Sequence, residues 1–346
     1  MDIPPRQNKV RQQIIRILKK AGSEGIPQKE MELNLGISKS YCSELLSELE
    51  RSGLIIRDRE AGLNKHIYYV QHYPAPLHGL IRVGLLRSSE YVLLISSIIE
   101  VFKESPVQIN FRFYNSTFKI TEDLVNGSLD MIAAPTATLV LSAVTRNNIR
   151  VLSGVASGGS GILKNKNQGN DSILTTETSS MASMVRQVLL RKEADSIEPF
   201  DDPRKAVKKF LTEKFSMLAI WEPFYSDLLR IETVTPILEY DDFFRDFPCC
   251  SLAANSKFLE TNMGIMQRLL TDYSNNNAMG DPASSSAKQS VRLIASATGI
   301  SSDRVSESLK NYDFSTKKIK KSVLLDFGIT LTTRQIQKIF LDNVLI

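Results

Sequence analysis

The stretch "LVNGSLDMIAAPTATLVLSAVTRNNIRVLSGVASGGSGIL", positions 124–163, alternates two periodicities. "SLDMIAAPTA" (128–137) is an apolar run of strand length, "TATLVLSAVTRNN" (136–148) has helical spacing, and "IRVLSGVASGGSGIL" (149–163) is strand-like again. Strand, helix, strand is the unit of an open α/β sheet. The same alternation extends outward. Upstream, "LIRVGLLRSSEYVLLISSIIEVFKES" (80–105) gives a strand and a helix, and "VQINFRFYN" (107–115) a second strand. Downstream, "ILTTETSSMASMVRQVLLRKE" (173–193) and "FDDPRKAVKKFLTEKFSMLAIWEPF" (200–224) continue the pattern.

Ligands of such sheets gather where strands end and helices begin. Those ends carry "LRSSEY" (86–91), "PTAT" (135–138) and "SGGSG" (157–161), which nominates Arg87, Ser88, Tyr91, Thr136, Gly159 and Ser160. Arg87 suits a carboxylate, sulfonate or phosphate, or else points to water. "SGGSG" ends a strand without opening a helix, so it does not fit a dinucleotide fingerprint. At "TTETSS", Thr178 and Ser179 stand at a helix start, where free N–H groups bind anions or the hydroxyls simply cap. Trp221 is the only tryptophan and is followed by Glu222 and Pro223. An indole face and a carboxylate suit a ring bearing an amine or amide; alternatively Trp221 packs in a core and Glu222 makes an ion pair.

Residues 1–72 have a different character. "PRQNKVRQQIIRILKKA" (5–21) places Val10, Ile14, Ile15 and Leu18 on one helical face. A second helix starts near Pro27 and ends at Gly36, and a third, "SKSYCSELLSELERSG" (38–53), carries an apolar stripe including Cys42, Leu45, Leu46 and Leu49. "LIIRDREAGLNKHIYYV" (54–70) predicts two strands around a Gly62 loop. The segment "VQHYPAPLHG" (70–79) is proline-rich and polar, and residues 73–79 are taken as a linker.

Two resemblances follow from these residues. "LGISKSYCSELLSELERSGLI" (35–55), inside residues 5–72, resembles the winged helix-turn-helix family of DNA-binding regulators. That resemblance implies that the third helix enters the major groove and the wing touches the backbone or minor groove. It puts Ser38, Lys39, Ser40, Tyr41, Ser43 and Glu44 near base edges, and Arg57, Arg59, Asn64 and Lys65 on the wing. The stretch 124–163, with its helix running into a Gly-x-x-Asp step, resembles the type II periplasmic binding proteins. Within these it is most similar to the branch that binds sulfonates, nitrate and thiamine-pyrimidine precursors, over about residues 80–312. That resemblance implies two lobes closing on a ligand, with a second lobe at about 165–248 and Trp221 and Glu222 near the cleft. The fold expected is therefore α/β: an N-terminal winged helix domain, then a bilobal periplasmic-binding-protein-like domain over 80–346.

Composition bounds the reading. No apolar run approaches the ~20 residues needed to span a bilayer, and "MDIPPRQNKVRQQ" lacks a signal-peptide core, so a cytoplasmic chain without membrane contact is expected. Cys42, Cys249 and Cys250 are too few for a disulfide framework, and the adjacent pair is read as core. His66, His72 and His78 match no zinc-ligand spacing; neither metal nor cofactor is expected. The net charge is +5 overall, and residues 1–72 hold 12 Lys and Arg against 9 Asp and Glu. One such unit would bind DNA modestly, which favours a homodimer summing two half-sites. The expected function is a regulator that binds double-stranded DNA and senses a small anionic or amphiphilic effector. The alternative is an enzyme on the same scaffold, acting in thiamine-pyrimidine or chorismate-derived chemistry. No histidine after position 78 and no convincing nucleophile-base pair supports it.

Overall fold

The computed structural model describes residues 5–58, 66–168, 172–176, 179–190, 196–213, 215–275 and 284–346. The first elements are α1 (Pro5–Ala21), β1 (Ile26–Pro27), α2 (Gln28–Leu35), α3 (Lys39–Arg51), β2 (Ile55–Arg57) and β3 (His66–Tyr69). They enclose an apolar cluster of their own. Ile14 and Leu18 of α1, Met31 of α2, and Cys42, Leu45, Leu46 and Leu49 of α3 meet Ile55 and Ile67 there. Burial pushes the Cys42 thiol up to about 11, as befits a small core residue. The three strands pair antiparallel in the order β1-β3-β2. Gly36, at φ 61°, ends α2 in the left-handed region, and two residues later Ser38 opens α3 by accepting from the Tyr41 N–H at 3.3 Å.

The remaining chain builds two α/β lobes. The first takes β4 (Leu80–Leu86), α4 (Val92–Phe102), β5 (Gln108–Tyr114), α5 (Thr117–Val125), β6 (Met131–Pro135), α6 (Thr136–Thr145) and β7 (Ile149–Gly158). The second takes β8 (Ser160–Asn165), β9 (Ser172–Thr175), α7 (Ser180–Leu190), β10 (Ser196–Pro199), α8 (Pro203–Thr212), β11 (Met217–Trp221), α9 (Phe224–Leu228) and β12 (Val234–Glu239). The chain then returns to the first sheet as β13 (Cys250–Asn255). It finishes with α10 (Ser256–Asn275), α11 (Ser285–Thr298), α12 (Ser302–Ser308), β14 (Tyr312–Asp313), α13 (Lys321–Asp326) and α14 (Thr333–Ile339). Strand orders are β14-β7-β13-β6-β4-β5 and β10-β9-β11-β8-β12. Helices α10 and α11 pack back on α4, and α14 on α6 and β7, thickening the first lobe. Among the described residues no helix is long and apolar enough to cross a membrane.

The crossing between lobes differs from the sequence reading. Residues 149–163 look like one strand, but β7 and β8 belong to different sheets, and the second sheet begins at Ser160 rather than near 165 and ends at Glu239. Gly158 and Gly159 make the break, at φ 81° and 65°. A Cβ on Gly159 would lie 2.1 Å from the Tyr312 ring, so neither the backbone angle nor the space admits a side chain.

The segment read as a linker is gripped by the first lobe. Arg82 of β4 is wholly buried beside Asp130, whose Oδ2 accepts from the Arg82 backbone N–H at 2.8 Å and Nε at 2.9 Å, and whose Oδ1 accepts from Nη2 at 2.8 Å. The other guanidinium contacts are the carbonyls of Tyr73, Ala75 and Gly127. Gly127, at φ 76°, would bring a Cβ within 2.8 Å of the Pro74 carbonyl. The Gly-x-x-Asp step thus has two duties: glycine lets the 73–75 segment approach, and the aspartate neutralises the arginine that holds it. Removing one member of a buried pair strands the other charge, which typically costs about 3–5 kcal/mol. Asp130→Ala should lose stability of that order in urea denaturation and expose residues 73–77 to proteolysis; an unchanged midpoint would contradict the clamp.

Candidate functional site

Between the lobes lies a narrow cleft with about 40 Å³ of free internal volume. Its first-lobe wall is Leu86 at the end of β4, Ser88, Glu90 and Tyr91 before α4, Thr117, Pro135, and the pair Cys249 and Cys250. The second lobe contributes Ser160, Thr176, Ser179, Ser180, Met181 and Trp221. The strand-end rule explains the set: β4, β6, β9 and β11 finish here and α7 begins here. Ser160 and Trp221 come together because they are cross-strand partners on β8 and β11. A neighbouring hollow of about 30 Å³ shares Leu86, Thr117, Thr176 and Trp221 and is also lined by Asn115, Phe118 and Phe200.

Several bonds bridge the lobes. The Trp221 Nε1–H donates to the Arg87 carbonyl at 2.7 Å, and its ring stacks on Phe200 at 6.0 Å between centroids. Asn115 donates to Asp202 at 3.2 Å, the Ser89 N–H donates to the Glu222 carbonyl at 3.2 Å, and the Ser180 hydroxyl lies 3.3 Å from the Cys249 sulfur.

Of the residues nominated from sequence, Ser88, Tyr91, Ser160, Ser179 and Trp221 line the cleft. Ser88 Oγ is 3.1 Å from the Tyr312 hydroxyl, and Ser179 Oγ is shared with Thr176 at 2.6 Å and the Ala182 N–H at 3.3 Å. Tyr91 is fully buried and donates to the Cys250 sulfur at 3.3 Å. Ser160 is 5% exposed and its hydroxyl has no partner. Arg87, Thr136, Gly159 and Glu222 are not in the lining. The guanidinium of Arg87 stands near Arg204 and Asp202, and its pKa is lowered by burial and then by Arg204. Thr136 spends its hydroxyl on Pro248 and Ser251, both at 2.7 Å. Gly159 serves the crossing. Glu222 is buried with its carboxylate satisfied by Ser226, through its N–H at 3.1 Å and hydroxyl at 2.6 Å, and by Asn311 at 2.6 Å. Thr178 lies outside the described residues, as do Arg59, Asn64 and Lys65.

Glu90 was missed by sequence reasoning. It follows "RSS" in a helix-start segment, where an acidic residue reads as ordinary capping. In the structure it is 3% exposed, and its Oε1 accepts from the Cys250 N–H at 3.2 Å. Burial pushes its carboxyl up to about 7, partly offset by hydrogen bonds from Cys250 and Ala156 and by Lys317. One ligand atom from each of Glu90, Cys249 and Cys250 falls within 4.8 Å of the others, a set able to offer three ligands to a metal ion. The Cys250 thiol is driven well up by the same burial, which favours its protonated form.

A second candidate surface is the start of α3. Ser38, Lys39, Ser40 and Glu44 are exposed, while Tyr41 and Ser43 are half-buried and Tyr41 packs against the cluster under α3. Arg57 is committed elsewhere: it pairs with Glu50 and donates to Ser47 Oγ at 3.2 Å.

No family model matches this sequence, and no curated protein matches it. Solved structures share the fold at low identity. The ligand-binding component of an ABC-type import system from Staphylococcus aureus, with zinc bound, is 16% identical, with a TM-score of 0.60 over 75% of this chain and 92% of that one. The alkanesulfonate-binding protein SsuA from Xanthomonas axonopodis pv. citri, bound to MOPS, is 14% identical, with a TM-score of 0.57 over 76% and 90%. The periplasmic nitrate-binding protein NrtA from Synechocystis PCC 6803 is 12% identical, with a TM-score of 0.58 over 77% and 87%. The bilobal periplasmic-binding-protein-like fold is therefore present.

Trp221→Phe keeps most of the ring but leaves the Arg87 carbonyl without its interlobe donor. The expected loss is about 0.5–1.5 kcal/mol, the net worth of one partly buried hydrogen bond, measured by denaturation. An unchanged stability would mean that the lobes do not hold this closed geometry in solution.

Proposed function

We propose that this chain is a ligand-responsive transcriptional regulator. In this reading residues 1–72 are a winged helix that binds double-stranded DNA, and the interlobe cleft takes a small-molecule effector. The observation that carries it is one of connection. A Ser-capped helix start with Ser38, Lys39 and Ser40 exposed is joined to a two-lobed cleft by a segment whose carbonyls Arg82 grips. Three helices and a three-stranded antiparallel sheet around one core match the way winged helices present their third helix to a major groove. Proteins of similar fold bind alkanesulfonate or nitrate, which supports a small-molecule role for the cleft.

The regulatory mechanism follows from two-state logic. An effector that binds the closed lobes more tightly than the open ones shifts their balance, and only that difference in affinity does work. Because residues 73–75 are clamped to the first lobe, lobe motion reorients the N-terminal unit as a body. Two such units in a cytoplasmic homodimer would change their half-site spacing. The enzyme alternative has a specific feature in its favour, the carboxyl and two thiols of Glu90, Cys249 and Cys250, but the protonated Cys250 is a poor nucleophile.

Each phosphate contact contributes close to one unit to the dependence of log affinity on log salt. Lys39→Ala combined with Arg59→Ala should weaken binding of duplex DNA by the full chain and lower that slope by about 2 per bound unit. Gel-shift titrations at several salt concentrations measure both; unchanged affinity and slope would sink the DNA reading. Native mass spectrometry of the purified chain tests the cleft, with a co-purifying small molecule expected.

A further inference from the structure

Because it rests on the cleft's being a ligand site, the following deepens the reading above. From the side chains that line the cleft we infer that its ligand is a flat, single-ring molecule bearing a cationic or hydrogen-bond-donating nitrogen group, and not an anion. Three features support this class. First, no lysine, arginine or histidine is among the cleft's described lining residues; its one carboxyl is Glu90. Arg87, the cation the sequence offers for an anion, lies outside the lining near Asp202 and Arg204, its buried Nε without a partner there. Second, Ser160 lines the cleft and its buried hydroxyl has no partner, which leaves a polar ligand atom one group to bond on the second lobe. Third, Trp221, Met181, Tyr91 and Leu86 supply apolar walls. An indole face and a thioether favour a planar ring, and more so one carrying positive charge.

The obvious place for an anion is the start of α7, and its hydroxyls are already engaged. Ser179 is bonded to Thr176 and the Ala182 N–H, and Ser180 is bonded to Cys249. Little free space remains between the lobes in this geometry, which limits the ligand to a small one. Glu90 also meets Tyr91, Tyr240, Tyr273, Tyr312, Cys250 and Lys317 electrostatically. The phenols stay neutral, and Lys317, lowered to about 7 by burial, loses charge in the same pH range as Glu90 gains it. A pH profile alone would mix the two groups, so the test varies the ligand's charge at one pH.

Benzamidine, benzamide and benzoate share one ring and differ in charge. With the full wild-type chain at pH 8, calorimetry and Trp221 fluorescence should rank benzamidine tightest and benzoate weakest. A charge-assisted hydrogen bond corresponds to roughly ten- to hundred-fold between the two. Glu90→Gln should remove most of benzamidine's advantage over benzamide. Ser160→Ala, a smaller change less able to disturb folding, should weaken benzamidine several-fold. Benzoate binding as tightly as benzamidine, or Glu90→Gln leaving the ranking intact, overturns the inferred class while the cleft remains a ligand site. No response of Trp221 to any of the three overturns the class; the cleft reading falls with it only if native mass spectrometry also finds no bound molecule.

Discussion

A buried guanidinium has to be neutralised and fully hydrogen-bonded, and Arg82 organises its surroundings by that demand. Its contacts reach β4, the Asp130 carboxylate, the turn at Gly127 and the carbonyls of Tyr73 and Ala75. Two stretches of chain, 73–82 and 127–130, are therefore fixed together by one side chain. The proline-rich segment that would otherwise behave as a flexible tether becomes part of the first lobe.

The same economy governs the hinge. Two glycines with positive φ let the backbone leave one sheet and enter another within three residues, and the Tyr312 ring fills the space a side chain would need. The bond from the Glu222 N–H to the Gly159 carbonyl, at 2.9 Å, ties the end of β11 to the crossing. Glu222 thus serves the hinge through both its backbone and its carboxylate, and Trp221 beside it is left to face the cleft. Neighbouring residues in "WEPF" have opposite duties because they point to opposite sides of a strand end.

Helices and strands of this chain follow from local pattern: apolar spacing of 3.6 or 2, Ser38 and Gly36 at helix ends, and Gly127 before Asp130. The alternation of strand and helix after Leu80 also announces two α/β lobes. Sequence placed Ser88, Tyr91, Ser160, Ser179 and Trp221 at strand ends and helix starts, positions that face the cleft for a topological reason. It could not tell Arg87, Thr136, Gly159 and Glu222 apart from them, because all lie in equivalent segments and differ only in where their side chains find partners.

What only the tertiary structure decided is how distant residues meet. Residues 149–163 carry one continuous apolar pattern, yet the sheet changes at Gly159, which no periodicity records. Cys249 and Cys250 read as core because burial and a cleft floor look alike in one dimension. Glu90 reads as an exposed helix-start acid until β13 arrives 160 positions later to bury it. Local sequence sets the conformation of each element through short-range sterics and hydrogen bonding. Which side chains share a cavity, and hence what charge it presents to a ligand, depends on contacts between elements that the chain brings together only on folding.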